Sequence, residues 1–555
     1  MAAENADSNK KYRVIIMGGG IAGISAAKHL VKNHMLDFII LEAKDKIGGR
    51  ISSVEIDNVK FEIGANWIHG VLGNPMYEIA MSHGLINIIG CVKAHKVVAA
   101  TEDGKQVPFS ILQEIYEAYM CFLHRCEEYF LCQYLPPDGI QSVGEHMNLE
   151  IELYLNRIPN INERRIRRLL FQCLLKRECC ISGCDSMDDI DLLELGSYTE
   201  LQGGNIVLPS GYSSILAPVS QGIVKESILL NHKVTEVRWY GIDQSDKSDN
   251  VNSSADVSDN ESNDSDKTVI NIGENCEKNV TDSIFTNYVY ENENENENGV
   301  EVQCENGIKF TADCVICTLP LGVLKENISK IFLPPLPEYK VESIERLLFG
   351  TVDKIFLYYD RPFLNSDVSE ILLLWESDHD ATSKTDNDLN NCWYKKIYSF
   401  SKVSETLLLG WLSGKEAIFM ESLPNQVVAD TCTNILRKFL NDPFVPKPKF
   451  TYCTRWHSDQ EIRGAYTAIG VGSSQVDIEY VAQPLYSKKK PNKPVLLFAG
   501  EHTHKNFYST VHGAYLSGRT AAQQFLDAAD KESEIVLECD DTNDLSSWIQ
   551  GISLE

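Results

Sequence analysis

The chain contains 555 residues, 43% of them hydrophobic and 23% charged, and its formal net charge at pH 7 is −28. This length and hydrophobic content predict a globular protein of two domains and exclude a disordered or fibrous chain. The acidic surplus disfavours binding to nucleic acid and suits a cationic substrate, and the lack of an 18-residue apolar run disfavours a membrane span. The polar first ten residues carry no secretory or mitochondrial pattern, so we expect a cytoplasmic protein with reduced cysteines.

The first predicted elements form a strand–helix–strand unit. The stretch "KYRVIIMGGGIAGISAAKHL" places a buried apolar run before a helical pattern, with Gly18, Gly20 and Gly23 between them in the spacing G-x-G-x-x-G. Such glycines permit a tight turn, a close approach of the backbone to a pyrophosphate and close packing of helix on strand. A second strand, "DFIILE", ends in Glu42, about 20 residues after the glycines, where a carboxylate accepts hydrogen bonds from ribose hydroxyls. The pattern predicts a bound adenine dinucleotide.

Two polar turns and a helical region follow this unit. In "EAKDKIGGRI" a glycine turn presents Arg50, a cation suited to phosphate oxygens. In "FEIGANWIHG" two glycines bracket Asn66, Trp67 and His69. Residues 108–185 show long amphipathic patterns that predict helices outside the nucleotide-binding fold. Their "ECCISGC" cluster lacks the paired spacing of a zinc site, so we expect structural cysteines and no metal.

Residues 241–300 differ in composition from the rest of the chain. They hold 15 acidic and 3 basic residues and include the runs "SDKSDNVNSSADVSDNESNDSDK" and "ENENENEN". A segment so polar cannot bury enough surface to offset the entropy of ordering, which predicts a disordered acidic insertion. It separates two strand-like runs, "HKVTEVRWY" and "GVEVQCENGIKF", so we expect it to interrupt a hairpin.

The last part of the chain alternates between two kinds of pattern. "GTVDKIFLYYDRPF" predicts a strand of a different sheet, whereas "PVLLFAGEHTH" predicts a buried strand of the nucleotide-binding sheet, followed by a helix that starts near His512. The patterns therefore predict two discontinuous, interleaved domains. The nucleotide-binding domain is expected to comprise 11–85, 203–240, 301–320 and 455–530, and the second domain 86–202 and 321–454, with 531–555 as a C-terminal tail.

Together these motifs resemble the flavin-dependent amine oxidases, and within them the polyamine oxidases. The resemblance covers nearly all of residues 11–528 apart from 241–300. It rests on "VIIMGGGIAG", "EAKDKIGGR", "GANWIHG", "GTVDKIFL", "RWHSDQEIRGAYTAIGVG" and "LFAGEHTHKNFYSTVHGAYLSG". One departure is Lys46, where the family's glycine turn usually opens with arginine. The resemblance implies an α/β plus α+β fold, in which a Rossmann-like FAD-binding domain is interleaved with a substrate domain of mixed sheet and helices.

The resemblance also implies which residues hold FAD. They are Gly18, Gly20, Ala22, Gly23, Glu42, Arg50, Asn66, Trp67, Val234, Glu501, Thr510 and Val511. In the monoamine oxidase branch a cysteine just before an active-site tyrosine anchors the flavin covalently, whereas Ala465 stands at that position here. Noncovalent FAD is therefore implied. The N-terminus of the last helix is expected to stabilise negative charge on the reduced flavin.

Catalytic and substrate-binding residues are implied in the same way. Lys354 of "DKIFL" is implied to hold a water against the reactive flavin nitrogen, and His69 to orient the amine or tune its protonation. Substrate contacts are implied for Glu200, Asp353, Tyr466, Thr510 and Trp67. Glu200 and Asp353 favour free spermine as the substrate, because spermine oxidases have carboxylates at both positions and acetylpolyamine oxidases have neutral residues.

The implied reaction is oxidation of a carbon–nitrogen bond of a polyamine. Dioxygen is the final oxidant, and the products are an aldehyde, a shorter amine and hydrogen peroxide. The reacting nitrogen must be neutral, while distal nitrogens stay cationic and can be held by carboxylates. Four alternatives stay open: an acetylpolyamine oxidase, a histone lysine demethylase, an amino-acid oxidase, and a protein that retains FAD without catalysis.

Overall fold

The computed structural model describes residues 10–86, 96–239, 299–376, 386–487 and 491–540, which belong to one compact unit. Its helices are α1 Ile21–Lys32, α2 Pro75–Ser82, α3 Phe109–Cys132, α4 Val143–Leu155, α5 Ile161–Ser182, α6 Leu216–Ser220, α7 Leu321–Ile331, α8 Glu338–Arg346, α9 Asp386–Cys392, α10 Gly414–Glu421, α11 Asn425–Phe439, α12 Gln475–Ala482 and α13 Val511–Asp540. In the described residues no helix is both long enough and apolar enough to cross a membrane.

The strands of the described residues follow in chain order. They are β1 Lys11–Met17, β2 Phe38–Leu41, β3 Ser53–Ile56, β4 Val59–Glu62, β5 Trp67–His69, β6 Lys96–Thr101, β7 Asn205–Val207, β8 Ile228–Leu229, β9 Val234–Arg238, β10 Val300–Cys304, β11 Lys309–Cys317, β12 Phe332–Leu333, β13 Leu348–Phe349, β14 Val352–Tyr358, β15 Val368–Leu374, β16 Ser399–Ser404, β17 Leu407–Ser413, β18 Phe450–Cys453, β19 Thr467–Ala468, β20 Leu485–Tyr486 and β21 Pro494–Phe498. Most of them belong to two large sheets.

The first large sheet has nine strands and a parallel centre. Its order is β12-β9-β10-β11-β1-β2-β8, with β21 paired to β11 and β20. β1 pairs in parallel with β2 and β11, and β11 pairs in parallel with β21. Because side chains alternate along a strand, Ile15 and Met17 enter one hydrophobic core, whereas Val14 and Ile16 enter another that also contains residues of α1 and α13. This arrangement confirms the predicted α/β nucleotide-binding fold.

The second large sheet has six strands in the order β18-β14-β17-β16-β15-β6. β14 pairs in antiparallel fashion with both β17 and β18, and β15 pairs in parallel with β6. One face of the sheet packs against α11, and the other contributes to a core with α3, α4 and α5. The sequence "GTVDKIFL" therefore lies in a separate sheet, and the amphipathic patterns of 108–185 form helices, as predicted.

The predicted boundaries of the two domains differ from the packing at two places. Residues 321–347 were expected in the second domain, but β12 pairs with β9 of the nine-stranded sheet, and Leu321 and Leu347 belong to the core of that sheet. The apolar residues of α7 and α8 face this sheet because they follow β11 without a long connection. At the other end, α13 continues to Asp540, so the predicted tail at 531–555 begins within a helix.

The predicted hairpin around the acidic segment is present. β9 and β10 are antiparallel neighbours, with Val302 opposite Val237 and Glu301 opposite Arg238. The predicted insertion, 241–300, lies almost wholly outside the described residues. The chain thus leaves and re-enters the sheet at adjacent positions.

The cysteine cluster lies in the helical core. Cys179, Cys180 and Cys184 are all buried there, and every cysteine that the structure describes is a free thiol. Over the same residues no group of three or more metal-ligating side chains is arranged to hold a metal ion. The cluster packs as apolar side chains do.

Candidate functional site

A cavity of about 1540 Å³ is lined by residues from both large sheets. Its lining includes the glycine turn after β1, the first residues of α13, side chains of β14 and β17, and one face each of α3 and α5. Single-ligand pockets commonly measure about 300–1,000 Å³. The volume is therefore large enough for a dinucleotide together with a second ligand.

At one part of this cavity, the glycine turn has room only for glycine at Gly18 and Gly23. Gly18 has φ +104°, and a Cβ there would lie 2.6 Å from Thr318 Oγ1. A Cβ on Gly23 would lie 2.0 Å from the carbonyl oxygen of Gly18, so α1 packs directly on the end of β1. Gly20 precedes α1, provides no side-chain cap and faces open space. The free N–H groups of the first turn of α1 are thus available to an anion.

Glu42 lies at the end of β2 beside this turn. Its carboxylate accepts hydrogen bonds from the backbone N–H groups of Gly19 (2.6 Å) and Lys44 (2.8 Å). Burial raises the pKa of Glu42, and the two backbone hydrogen bonds oppose that rise. Glu42, the predicted ribose ligand, and Val234, which the family resemblance implies as a cofactor contact, both line the cavity.

Arg50 is held by two groups from the end of the chain. Its Nη1 donates to the carbonyl oxygen of Ala465 (2.7 Å) and to Glu501 Oε1 (2.9 Å). Burial alone would raise the pKa of Glu501, but Arg50, His502 and Thr467 together outweigh burial, and the pKa is lowered. Glu501 also accepts a hydrogen bond from the N–H of Ser509. This ion pair fixes a cation at the cavity wall.

The N-terminus of α13 also reaches the cavity. Thr510 caps the helix by accepting a hydrogen bond at Oγ1 from the N–H of Gly513 (3.0 Å). Both Thr510 and Val511 line the cavity. A Cβ on Gly518 would lie 2.1 Å from the carbonyl oxygen of Ala22, which shows how closely α13 packs on α1. Two helix N-termini, each with a positive dipole end, therefore border one cavity.

Lys354 is a buried cation in the wall formed by β14. Only 3% of it is exposed, and Nζ donates hydrogen bonds to Glu62 O (2.9 Å), Asn66 Oδ1 (3.0 Å) and Gly64 O. Burial lowers the pKa of Lys354 to about 7. The side chain is therefore ready to exchange a proton near neutral pH.

Aromatic side chains surround this lysine. Its Nζ lies 4.8 Å from the ring centre of Trp411, and Trp411 stacks on Trp67 with 5.6 Å between ring centres. The sequence analysis did not identify Trp411. Its position opposite Lys354 is set by the pairing of β14 with β17, a long-range contact with no local pattern. Together the two indoles form a flat apolar wall of the cavity.

His69 and Tyr466 are placed in the cavity as expected. His69 Nδ1 lies 3.1 Å from Asn205 Oδ1, and loss of solvent lowers the pKa of His69. The hydroxyl of Tyr466 donates to the carbonyl oxygen of Cys180, and burial raises the pKa of Tyr466. Gly183 packs against the tyrosine ring, where a Cβ would lie 2.9 Å from the ring edge. The ring is held in one orientation.

Of the two predicted substrate carboxylates, the structure brings only Glu200 to the cavity. Asp353 is fully buried on the opposite face of β14 from Lys354, because successive side chains of a strand point in opposite directions. Its Oδ1 accepts hydrogen bonds from Thr454 Oγ1 (2.6 Å) and the N–H of Trp456 (3.3 Å). The prediction that Asp353 contacts the substrate is corrected: it connects β14 to the chain after β18.

Two further acids in the lining were not singled out from the sequence. Glu127 lies on α3 and Glu178 on α5. Burial raises the pKa of both, that of Glu178 to about 7. The amphipathic pattern placed them on helices, but it did not show which helix face borders a cavity rather than solvent.

Comparison with known proteins shows the family. Residues 21–272 and 282–526 match the family of flavin containing amine oxidoreductases. The peroxisomal N(1)-acetyl-spermine/spermidine oxidase of Bos taurus is 30% identical over 540 residues, which cover 94% of this chain and 96% of that protein. The Homo sapiens protein of the same name is 30% identical over 532 residues, covering 93% and 94%.

A solved structure is similar in fold. A redesigned putrescine oxidase superposes with a TM-score of 0.62 over 93% of this chain and 99% of its own, at 16% sequence identity. The family match begins at residue 21, after β1 and the first glycines of the turn, and it covers the remaining strands of both large sheets and most of the cavity lining. The chain belongs to the flavin-containing amine oxidoreductases.

Proposed function

We propose that this protein is an FAD-dependent polyamine oxidase that prefers free spermine-type polyamines. The observation that carries the proposal is a single cavity that combines a dinucleotide cradle, a buried lysine with a pKa of about 7 and an acidic lining. The names of the two mammalian relatives also support a polyamine as the substrate.

The residues of the cradle fit FAD. The open N–H groups at α1 and Arg50 would hold the diphosphate, Glu42 the ribose hydroxyls, and the N-terminus of α13 the flavin ring. Ala465 cannot form a thioether, so the cofactor is held without a covalent bond. When bound, FAD supplies the two-electron acceptor for the substrate α-carbon and passes the electrons to dioxygen, which yields hydrogen peroxide.

The protein's own residues accept and release protons and exclude water from the reacting atoms. The lowered pKa of His69 leaves its imidazole neutral near pH 7, so it can accept a proton from the incoming amine at its reacting nitrogen. Lys354 holds or releases a proton at Nζ without a large free-energy cost, because its pKa is close to neutral pH. Trp67 and Tyr466 shield the reacting carbon from water.

Substrate charge is the second part of the proposal. Glu200 would attract the terminal ammonium of free spermine, whereas an acetylated end would leave the carboxylate without a partner. Since Asp353 does not reach the cavity, the preference for free spermine rests on Glu200. The acetylpolyamine alternative is favoured by the names of the mammalian relatives. A cytoplasmic location is also proposed, to be tested by fractionation against peroxisomal markers.

The deciding experiment is anaerobic addition of polyamines to the purified yellow protein. Spermine should bleach the flavin absorbance band, and admission of air should restore it with production of hydrogen peroxide. N1-acetylspermine and a methylated-lysine peptide serve as comparison substrates. Bleaching by the acetylated compound alone would overturn the preference for free spermine, and no bleaching by either polyamine would overturn the polyamine oxidase proposal.

A further inference from the structure

Two acids from separate segments line the cavity where these segments contact each other. Glu127 and Glu200 both line the cavity, and the negative charge of Glu200 contributes to the raised pKa of Glu127 after the larger contribution of burial. His124, one turn earlier on α3, opposes that rise. The charge of one carboxylate therefore affects the protonation of the other.

The backbone brings these two acids together through a close contact. Gly196 lies in the short turn Leu195–Ser197, and a Cβ there would be 2.4 Å from the carbonyl oxygen of Glu127. Only glycine allows this turn to rest directly on α3. Glu200 is the third residue after the turn, so the contact fixes its chain beside the last turns of α3.

The pair has no cationic partner of its own. Within the described part of the chain, no lysine or arginine forms an ion pair with Glu127 or Glu200, and the neighbouring titratable groups are His69, His124 and Glu178. Glu127 is partly buried and Glu200 is exposed, so partial loss of solvent disfavours the charged form of Glu127, and the charge of Glu200 adds to this effect. A bound cation would offset both contributions. The wall is thus complementary to a compact organic cation.

The position of the pair indicates which part of a polyamine it would contact. Leu201, the residue after Glu200, lies against Gly70, where a Cβ would be 2.3 Å from the carbonyl oxygen of Leu201, and Gly70 follows His69. The chain of Glu200 therefore lies between His69 on one side and α3 with Glu127 on the other. A linear polyamine whose reacting nitrogen lies beside His69 extends its non-reacting end along these acids. We propose that Glu127 is a specificity-determining residue that, together with Glu200, holds the terminal primary ammonium group of the substrate. This inference rests on the proposed polyamine oxidase function.

The test compares Glu127→Gln with the wild-type holoenzyme on spermine and N1-acetylspermine. Loss of one carboxylate beside the ammonium should raise KM for spermine ten-fold or more, with kcat changed less than two-fold and KM for N1-acetylspermine nearly unchanged. Glu128→Gln is the matched control, because Glu128 is the next residue on α3, is exposed and does not line the cavity. It should behave as wild type.

Direct binding provides a second readout. The affinity of 1,8-diaminooctane, measured by calorimetry, should fall in Glu127→Gln and in Glu200→Gln, and the two losses should not add, since both carboxylates contact the same ammonium. If Glu127→Gln loses FAD, Glu127→Asp replaces it, with an expected two- to four-fold rise in KM for spermine alone. Unchanged KM, or an equal rise for both substrates, would overturn the assignment of Glu127. A wild-type protein that oxidises no polyamine would instead overturn the function on which it rests.

Discussion

Replacing Lys354 by methionine tests the chemistry of the buried amine. The pKa of Lys354 is about 7 against a usual value of 10.5, which corresponds to about 5 kcal/mol disfavouring the charged form, at 1.36 kcal/mol for each pKa unit. At pH 7 about half of the side chains are therefore neutral, whereas a lysine in water would be neutral in only roughly one molecule in 3,000. Methionine has a similar length and no titratable group. The substitution therefore removes the neutral amine without creating a large cavity.

The expected result is a slow enzyme that still binds flavin. Lys354→Met should keep the FAD spectrum, because Nζ donates hydrogen bonds to Glu62, Gly64 and Asn66, and of these only Asn66 is implied to contact FAD. Turnover or flavin reoxidation should fall by about 10²- to 10⁴-fold, the usual contribution of a positioned acid or base. Stopped-flow kinetics separate the two steps: anaerobic mixing with spermine measures reduction, and mixing of the reduced protein with air-saturated buffer measures reoxidation.

The pH dependence gives an independent check. In the folded protein Lys354 loses its proton near pH 7, and in the unfolded chain near 10.5, so the unfolded chain binds more protons between these values. Stability of the wild type relative to Lys354→Met should therefore rise with pH over this range, by up to about 5 kcal/mol. If Lys354 takes part in turnover, the pH–rate profile of the wild type should change slope near pH 7, and this change of slope should be absent from Lys354→Met. Unchanged kinetics together with parallel pH–stability curves would show that Lys354 neither titrates near pH 7 nor takes part in turnover.

Four further predictions concern individual features. Acid precipitation should release the yellow chromophore into the supernatant, because Ala465 offers no sulfur for attachment; flavin in the pellet would contradict noncovalent binding. Deletion of 245–295 should leave melting temperature and turnover nearly unchanged, because β9 and β10 pair on either side of it; a large loss in either would show that the segment packs. Glu200→Val should reduce kcat/KM for spermine more than for N1-acetylspermine, by a difference of about 2–5 kcal/mol in transition-state binding, and equal losses would remove Glu200 from specificity. Asp353→Asn should leave KM for spermine unchanged, since Asp353 faces away from the cavity; a selective rise in KM would restore it as a substrate contact.

The features predicted best were those set by local backbone requirements. The glycine turn, Glu42 and the last helix each depend on a short stretch of chain, and the structure places all of them at the cavity. Lys354 and His69 were identified by the family resemblance rather than by their own surroundings. Neither residue type in isolation would have indicated a site.

Features that depend on strand pairing or on the orientation of a helix could not be predicted. Asp353 was implied as a substrate contact by the resemblance to spermine oxidases, but strand alternation places it on the opposite face of β14 from Lys354. Trp411 reaches the cavity only through the register of β14 with β17, and Glu127 only through the orientation of α3, which local sequence does not determine. The boundary at 321 was misplaced for the same reason: the pairing of β12 with β9 joins segments about 95 residues apart.

The close packing of α1 on α13 has a consequence for how the protein is made. The two helix N-termini that border the cavity come from Ile21 and Val511, about 490 residues apart. At typical synthesis rates of 5–20 residues per second, roughly 25 to 100 s separate their emergence from the ribosome. During that interval α1 lacks the helix against which it packs, and the glycine turn has no opposite wall. The proposed cofactor site is therefore completed only after α13 has been synthesised. A chain that ends before α13 lacks one wall of this proposed site.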